Sequence, residues 1–358
     1  MRIAVVGGGI NGLCCAWLLA QAGYKIDLYD RGKLASETSK ASSKLLHGGI
    51  RYLEQYEFRL VREALKERDD WLRRVPSLTN PLRLVLPIYK NSKRSRWFIG
   101  IGLFLYDHLA GKSILPPSKW LSAKELLKID SQLQSHDLIG GYEFSDGQMD
   151  DFKLAMWVAE QAIQVGVNVK ENQPVDKVDV NGNLHVVGDI IHYDFIVNAS
   201  GPWAVKLLEK SGITSPYRLD TVKGSHIVVS RKCEQSYLLE VPNESRIFFV
   251  LPWRENTLIG TTEVRQNLDD VVICSEEEKD YLLAAYNHYR KDSLKKEDIV
   301  DSYAGVRPLI YTAEDPNKAT REYIIERDGK LLNIFGGKWT TALALARNVV
   351  NQLDRYCK

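Results

Sequence analysis

The sequence predicts an α/β protein in which a Rossmann-type nucleotide-binding domain is interrupted by an α+β domain with a mostly antiparallel sheet. A glycine-rich strand–turn–helix–strand unit opens the chain, and a β-rich region runs from Tyr217 to Val264. Apolar strands that end in small-residue turns recur after that region. We expect the nucleotide-binding domain to comprise residues 1–84, 146–214 and 301–358, and the inserted domain to comprise residues 85–145 and 215–300.

The chain begins with a predicted buried parallel strand. Arg2–Val6 is short, apolar and rich in β-branched residues, as a strand covered on both faces should be. Gly7, Gly9 and Gly12 then occupy the positions of the G-x-G-x-x-G fingerprint. The first glycine permits a tight turn, the second a close approach to a pyrophosphate, and the third close packing of helix and strand.

A helix and a second strand complete this unit. Leu13–Ala22 has the length and apolar content of a short helix, and Tyr24–Tyr29 has those of a strand that ends at Asp30. An acid at this point binds the ribose hydroxyls in dinucleotide-binding units. We therefore interpret residues 2–30 as a nucleotide site rather than as a structural glycine turn.

A secretory signal is the rival interpretation of the same residues, because an apolar stretch leads to Ala20–Ala22, which resembles a cleavage site. Three consecutive glycines and Asn11 interrupt that stretch, however. Cleavage would also remove the nucleotide turn. We therefore expect a cytoplasmic protein.

The composition excludes other classes of protein. A net charge of +2 over 358 residues gives no electrostatic reason to expect a nucleic-acid partner. The five cysteines include no C-x-x-C pair, so neither a disulfide framework nor a metal site is predicted. The composition predicts no particular oligomeric state.

The most informative segment is Ser42–Tyr52, which follows the nucleotide unit. It combines paired serines, a lysine, a histidine beside two glycines, and an Arg-Tyr pair. This pattern predicts backbone bent closely around a flat ring, with a cation and a phenol placed beside that ring.

A basic cluster of Lys90, Lys93, Arg94 and Arg96 leads directly into the aromatic-rich apolar run Trp97–Tyr106. Ten apolar residues are too few to span a bilayer. The pattern is typical of a helix that lies in a membrane interface. A core helix preceded by solvated lysines is the alternative.

Further elements follow in order. We expect a helix over Asp151–Val165 and a strand at Asn168–Lys170. Residues 195–203 are expected to form an apolar strand that runs into a small-residue turn and a helix. Alternation in Ser225–Val229 and in Arg246–Leu251 predicts strands of the inserted domain.

The last third of the chain places cations beside turns. Gly305–Pro308 contains an arginine between apolar neighbours, and Thr320–Tyr323 contains another before a strand. Leu332–Thr341 reads as a strand, a glycine turn and a helix start, whose N–H groups suit an anion or a ring oxygen.

Several of these segments together resemble FAD-dependent glycerol-3-phosphate dehydrogenase, within the glycine oxidase and D-amino acid oxidase type of flavoenzyme. The similar blocks follow the family's order over nearly the whole chain. They are Ala41–Lys44, His47–Gly49, Arg51–Glu54, Tyr56–Val61, Gly102–Phe104, Tyr106–Leu109, Lys223–Val229, Pro252–Trp253, Gly260–Thr262, Gly305–Pro308, Thr320–Arg321 and Phe335–Lys338.

The resemblance implies a FAD-binding domain of the glutathione-reductase-2-like type. It implies FAD contacts along the two strand-to-helix turns, the loop around the ring and the C-terminal glycine turn. The implied contacts are Gly7, Gly9, Ile10, Asn11, Gly12, Asp30, Arg31, Ser39, Ser42, Ser43, Lys44, His47, Gly48, Val175, Ala199, Ser200, Gly201, Trp203, Gly336, Gly337, Lys338, Trp339 and Thr340.

The implied reaction is oxidation of sn-glycerol 3-phosphate to dihydroxyacetone phosphate, with hydride transfer to flavin N5 and electrons passed on to a quinone. Arg51, Arg307 and Arg321 would bind the substrate phosphate. His226 would be the base, and Tyr52 and Lys338 would orient the hydroxyl or polarise the developing carbonyl. We expect contact with the inner face of the cytoplasmic membrane through residues 90–106.

Two departures from the family pattern leave alternatives open. Asp30 stands where the family more often has Glu, and the chain ends at Lys358, before the helical domain that members usually carry. A larger glycerol-phosphate derivative is therefore an alternative substrate. An amino or hydroxy acid is another, because an arginine at position 307 could bind a carboxylate, and a non-catalytic FAD-containing subunit is a third alternative.

Overall fold

The computed structural model describes residues 1–311 and 322–356. Its strands are β1 (Arg2–Val6), β2 (Lys25–Tyr29), β3 (Leu45–Leu46), β4 (Thr79–Tyr89), β5 (Lys119–Ser122), β6 (Leu138–Met149), β7 (Asn168–Lys170), β8 (Val175–Val178), β9 (Asn183–Val186), β10 (Asp189–His192), β11 (Phe195–Asn198), β12 (Leu219–Val229), β13 (Ser236–Glu240), β14 (Ile247–Trp253), β15 (Asn256–Gly260), β16 (Val264–Arg265), β17 (Ile299–Ile310), β18 (Tyr323–Asp328) and β19 (Leu331–Gly336). Its α-helices are α1 (Ile10–Gln21), α2 (Phe58–Arg74), α3 (Arg96–Ala110), α4 (Ala123–Ile129), α5 (Asp151–Gln164), α6 (Ala204–Ser211), α7 (Glu276–His288) and α8 (Ala342–Tyr356).

The first sheet has the strand order β18-β19-β11-β1-β2-β7. All its neighbours pair in parallel except β18 and β19, which are antiparallel. Helices α1, α5 and α8 bury their apolar side chains against one face of this sheet. The other face is covered by α6 and by the small antiparallel sheet β8-β9-β10. Both faces are covered, which explains the continuous apolar runs of β1 and β11.

The second sheet follows the order β16-β12-β15-β14-β13-β4-β6-β3, with β17 paired to β12 and β5 paired to β6. Its pairs are antiparallel apart from β13 and β4. Helices α4 and α7 pack on one face. Helices α2 and α3 pack on the other, nearer the first sheet's loops. The predicted combination of a Rossmann-type sheet with a mostly antiparallel second sheet is confirmed.

Strands of the second sheet cross the predicted domain boundaries. The predicted boundaries after residues 84 and 145 fall inside β4 and β6, and residues 301–310 belong to β17, which pairs with β12. A hydrogen-bonded strand belongs to its sheet along its whole length. We therefore propose that the inserted domain extends to the ends of these strands, and the division into two domains stays a prediction.

The apolar run at Trp97–Tyr106 lies within α3, where Ile99, Leu103 and Tyr106 are buried. Trp97, Phe98, Ile101 and Phe104 are between 53% and 76% exposed on the opposite side. Among the residues that the structure describes, none of the helices has the length and apolar character needed to cross a bilayer.

Candidate functional site

A cavity of about 650 Å³ is lined by both sheets and their loops. The first sheet contributes the turns after β1 and β11, and the second contributes residues of β12, β13 and β14. Ligands of open α/β sheets bind beyond the carboxyl ends of the strands, which is where these turns lie.

The nucleotide end of the cavity is built around the start of α1. Gly9 caps this helix without a side-chain hydrogen bond, so the positive end of the helix faces the cavity. Asp30 accepts hydrogen bonds from the backbone N–H groups of Gly8 (2.6 Å) and Gly32 (2.8 Å). The carboxylate is therefore fixed at the end of β2, as the fingerprint predicts.

Two glycines of the fingerprint are required by close backbone contacts. A Cβ at Gly7, whose φ is +106°, would lie 2.6 Å from the carbonyl oxygen of Ala199. A Cβ at Gly12 would lie 1.8 Å from the carbonyl oxygen of Gly7. Gly12 does not line the cavity, so its role is to let α1 pack against the turn.

The loop at residues 42–52 is anchored to α5 by a buried ion pair. The Lys44 Nζ lies 2.6 Å from Asp151 Oδ1, and the two side chains are 8% and 1% exposed. Ser42 Oγ donates to the same carboxylate at 2.7 Å. Burial raises the pKa of Asp151, and the Lys44 ammonium opposes that shift. Lys44, which we predicted to contact the cofactor, does not line the cavity, because its side chain is drawn towards Asp151.

Gly48 is held by a second buried network. Its N–H lies 2.8 Å from the Tyr106 hydroxyl and 3.3 Å from Asp146 Oδ1. The Tyr106 hydroxyl donates to Asp146 at 2.7 Å, and Arg68 Nη1 donates to Asp146 at 3.0 Å. Gly48 does not line the cavity either. Its hydrogen bonds to Tyr106 and Asp146 join the loop at residues 42–52 to the protein core.

His226 on β12 is 2% exposed and lines the cavity. Its Nε2 lies 2.9 Å from the Ser43 hydroxyl, and its ring stacks on Tyr303 at 4.9 Å. Nδ1 is buried and has no hydrogen-bond partner in the described parts of the chain. Burial, with the charges of Lys44 and Arg307, lowers the pKa of His226 to about 3. The imidazole is therefore neutral at physiological pH.

The C-terminal glycine turn also lines the cavity. The Thr340 hydroxyl accepts from the His47 N–H at 3.2 Å, and the Trp339 indole donates to the Ser39 carbonyl at 3.0 Å. The Lys338 ammonium lies 3.7 Å from the centre of the Tyr52 ring, which is close enough for a cation–π contact. The turn thus brings the two residues predicted to act on the substrate hydroxyl together.

Two arginines, Arg51 and Arg307, line the cavity, and a third, Arg246, lies next to the cavity residue Glu263. Arg307 Nη1 lies 3.2 Å from Glu263 Oε1, and Arg307 Nη2 donates to the Thr262 carbonyl at 3.0 Å. Arg246 Nε lies 3.8 Å from the other oxygen of Glu263. Burial lowers the pKa of Arg51, and the Glu263 carboxylate opposes that shift. These four side chains form what we call the arginine cluster: Arg51, Arg246, Arg307 and Glu263.

The predicted site residues fall into three groups. Gly12, Lys44 and Gly48 support the cavity without lining it, and Arg321 lies outside the described residues. The others line the cavity: Gly7, Gly9, Ile10, Asn11, Asp30, Arg31, Ser39, Ser42, Ser43, His47, Arg51, Tyr52, Val175, Ala199, Ser200, Gly201, Trp203, His226, Arg307, Gly336, Gly337, Lys338, Trp339 and Thr340.

Sequence reasoning missed Glu263 and Arg246. Glu263 follows β15 directly after the Gly-Thr-Thr block, and Arg246 opens the run of β14. A carboxylate next to a block shared with the family was the available signal for Glu263. Arg246 carried no signal beyond the alternation of a strand.

Comparison with known proteins gives this arrangement a family. A family model described as FAD dependent oxidoreductase matches residues 2–352. The chain belongs to this family. It is 39% identical over 376 residues to the aerobic glycerol-3-phosphate dehydrogenase of Escherichia coli, covering 99% of this chain and 73% of that one. It is 37% identical over 368 residues to the D-erythritol 1-phosphate dehydrogenase of Brucella abortus, covering 98% and 72%.

A solved structure agrees with the fold. The glycerol-3-phosphate dehydrogenase of Bacillus halodurans, complexed with FAD, superposes with a TM-score of 0.80 at 25% identity. The match covers all of this chain and 65% of that one. FAD is therefore the cofactor of this oxidoreductase.

The cavity residues fit that cofactor. The helix start at Gly9 and the glycine turn suit a pyrophosphate. Asn11 Oδ1 is buried in the cavity wall and has no hydrogen-bond partner among the described residues, so it can accept a bond from a ligand. At the far end, the Arg31 guanidinium stacks at 3.8 Å on the Trp203 ring, which forms a flat wall beside Val175 and Ser200.

Proposed function

We propose that this protein oxidises sn-glycerol 3-phosphate to dihydroxyacetone phosphate with bound FAD. The observation that carries the proposal is that the FAD-binding turns line the same cavity as a set of candidate substrate-binding residues. That set comprises His226, the Tyr52–Lys338 pair, Arg51 and Arg307. The relatives named glycerol-3-phosphate dehydrogenase support the same substrate.

The substrate phosphate binds at Arg51 and Arg307. No hydrogen-bond or ion-pair partner exists for the Arg51 guanidinium within residues 1–311 and 322–356, although the residue is only partly exposed. A guanidinium in that state is ready for an anion, and its planar fork matches phosphate oxygens. Arg307 adds a second guanidinium charge in the same cavity, and we propose that Arg321 adds a third.

His226 accepts the proton of the carbon 2 hydroxyl. Its neutral ring carries a lone pair at working pH because burial and two nearby cations lower its pKa to about 3. A phosphate dianion at Arg307 offsets one of those cations, so proton acceptance becomes more favourable once the substrate is bound. Tyr52 and Lys338 hold the substrate oxygen in line with His226. FAD, when bound, supplies the acceptor for the two electrons that leave carbon 2 as a hydride.

Anaerobic mixing of the holoenzyme with candidate substrates tests the proposal. sn-Glycerol 3-phosphate is expected to bleach the visible absorbance of oxidised flavin, whereas glycerol, amino acids and hydroxy acids are not. Bleaching by a hydroxy or amino acid and not by glycerol 3-phosphate would move the substrate class to carboxylates. The absence of bleaching by any of them would support the non-catalytic alternative.

A larger phosphorylated polyol is the second candidate substrate. The relative named D-erythritol 1-phosphate dehydrogenase, at 37% identity, favours it. Such a substrate keeps the phosphate and the secondary hydroxyl that the arginines and His226 would bind. Comparing kcat/KM for D-erythritol 1-phosphate and sn-glycerol 3-phosphate decides between the two, since the natural substrate is expected to have the higher value.

We also propose that the reduced enzyme passes its electrons to a membrane quinone and that α3 contacts the lipid surface. The exposed apolar residues of α3 would enter the interface. Two of the four neighbouring basic residues add little net attraction, because Arg94 pairs with Glu54 (2.5 Å) and Glu240 (2.7 Å) and Lys90 pairs with Asp137 (2.7 Å). We therefore expect apolar insertion, with a weak dependence on anionic lipid.

Vesicle sedimentation and reoxidation kinetics check this part. Ile101→Glu on α3 should abolish binding to zwitterionic vesicles, whereas Ile190→Glu, which changes a 65% exposed residue on β10, should not. A soluble quinone should reoxidise the reduced flavin faster than oxygen does. Equal vesicle binding by both variants would contradict the role of α3, and faster reoxidation by oxygen would point to an oxidase.

A further inference from the structure

One carboxylate stands among the cations of the proposed phosphate site. The side chain of Glu263 is 11% exposed, lines the cavity, and lies 3.2 Å from Arg307 and 3.8 Å from Arg246. Arg246 does not line the cavity and approaches Glu263 from behind. The arginine cluster therefore contains three cations and one anion before any substrate binds.

The Glu263 carboxylate contacts Arg307, the residue at which we propose that the substrate phosphate also binds. Arg307 gives one nitrogen to Glu263 and another to the Thr262 carbonyl. A ligand phosphate at Arg307 would lie close to the Glu263 carboxylate, because Arg307 Nη1 is 3.2 Å from Glu263 Oε1. Like charges at such separations repel strongly where water is scarce.

We propose that Glu263 is an affinity-determining residue: a resident anion that weakens the binding of phosphate dianions at Arg307, so that substrate and product exchange readily. This inference rests on the proposed function. The three cations alone would hold a dianion with an excess of positive charge. Glu263 lowers the net charge of the arginine cluster from +3 to +2 and places a negative charge 3.2 Å from Arg307.

Charge scaling separates this role from a purely structural one. Coulomb repulsion is proportional to the charge of the ligand, so the logarithm of the affinity gained on removing Glu263 should be twice as large for a dianion as for a monoanion. A carboxylate that merely kept Arg307 in place would do the opposite, since its loss would weaken the binding of both ions.

Sulfate and perchlorate are suitable probes because both are tetrahedral oxyanions and they differ in charge. Their affinities for the oxidised holoenzyme are measured from the change in the flavin spectrum, so turnover is not required. The variants are Glu263→Gln and Glu263→Met, made in parallel so that poor folding of one leaves the other, and Glu263→Asp, which keeps the charge. Glu244→Gln is the matched control, because Glu244 lies 3.8 Å from the same Arg246, is 40% exposed and does not line the cavity.

Removal of the Glu263 charge should tighten sulfate binding by about tenfold and perchlorate binding by about the square root of that factor. Glu263→Asp and Glu244→Gln should each stay within about twofold of the wild type. Unchanged or weaker sulfate binding in Glu263→Gln, or an equal gain for both anions, would overturn the inference. If the anion pattern appears but glycerol 3-phosphate fails to reduce the wild-type flavin, the proposed function fails and the role of Glu263 stands.

Discussion

Replacing His226 by glutamine should make the protein less sensitive to acid. The folded-state pKa of His226 is about 3, against an ordinary value of 6.5. Between those two pH values the unfolded chain binds a proton at this residue and the folded protein does not. The free energy of unfolding of the wild type therefore falls as the pH drops from about 6.5 towards 3. Glutamine cannot titrate, and its amide can still bond to Ser43.

The size of the effect follows from the pKa difference. Each pH unit below 6.5 lowers the free energy of unfolding by about 1.4 kcal/mol through this residue. At pH 5, about 1.5 units below 6.5, the loss is roughly 2 kcal/mol. A chain of 358 residues has an unfolding entropy near 0.75 kcal/mol/K, so this penalty lowers Tm by about 3 °C. At pH 8 the penalty is absent.

Thermal unfolding of both proteins at pH 8 and pH 5, with the same excess of FAD, measures the difference. Between pH 8 and pH 5, the Tm of the wild type should fall by about 3 °C more than the Tm of His226→Gln. All other titrating groups are shared, so their contributions cancel. Parallel Tm profiles would refute the assignment of a neutral, buried His226. The same variant should have a kcat lowered by about 10²–10⁴-fold if His226 is the base.

Three further variants test the supports of the cavity. Lys44→Met leaves the Asp151 carboxylate buried and unpaired, and should lower the free energy of unfolding by about 3–5 kcal/mol. If denaturant unfolding shows a loss below about 1 kcal/mol, the pair is not buried as described. Tyr106→Phe removes one hydroxyl from the network that holds Gly48 and should lower the free energy of unfolding by about 1–3 kcal/mol. It should also increase the rate of FAD release in a fluorescence assay, and an unchanged release rate would exclude coupling to the loop at residues 42–52. Gly12→Ala should abolish FAD binding, because its Cβ would lie 1.8 Å from a backbone oxygen of the nucleotide turn. The control Gly102→Ala, whose Cβ would have nothing within 4 Å, should bind FAD normally. Equal flavin content of the two purified variants would contradict the packing role of Gly12.

Local patterns made much of the fold predictable. The strand β1 has its predicted bounds, β11 begins at the start of its predicted segment, and α5 ends one residue before its predicted end. Each is specified by apolar periodicity and by turn residues within a few positions. The nucleotide turn was predictable for the same reason, since Gly7 and Asp30 belong to one short unit.

The roles of Lys44 and Gly48 were not predictable, because their partners are distant in sequence. Lys44 pairs with a carboxylate 107 residues later, and Gly48 bonds to one 98 residues later. A sequence pattern cannot distinguish a lysine that faces a cofactor from one that anchors the loop around it. Glu263 became informative only through its contacts with Arg246 and Arg307. The predicted domain boundaries fall inside β4 and β6 for a similar reason: each strand is continuous, and only their pairing assigns them to one sheet.

The proposed phosphate site is tested most directly by anaerobic flavin reduction at a series of substrate concentrations. The wild type is compared with Arg307→Gln. The wild type should show saturable reduction by sn-glycerol 3-phosphate. Loss of a charge-assisted contact of about 2–3 kcal/mol should raise the half-saturating concentration of the variant by about 30–150-fold, with FAD retained. Saturation of both proteins at the same concentration would contradict the proposal that Arg307 binds the substrate phosphate.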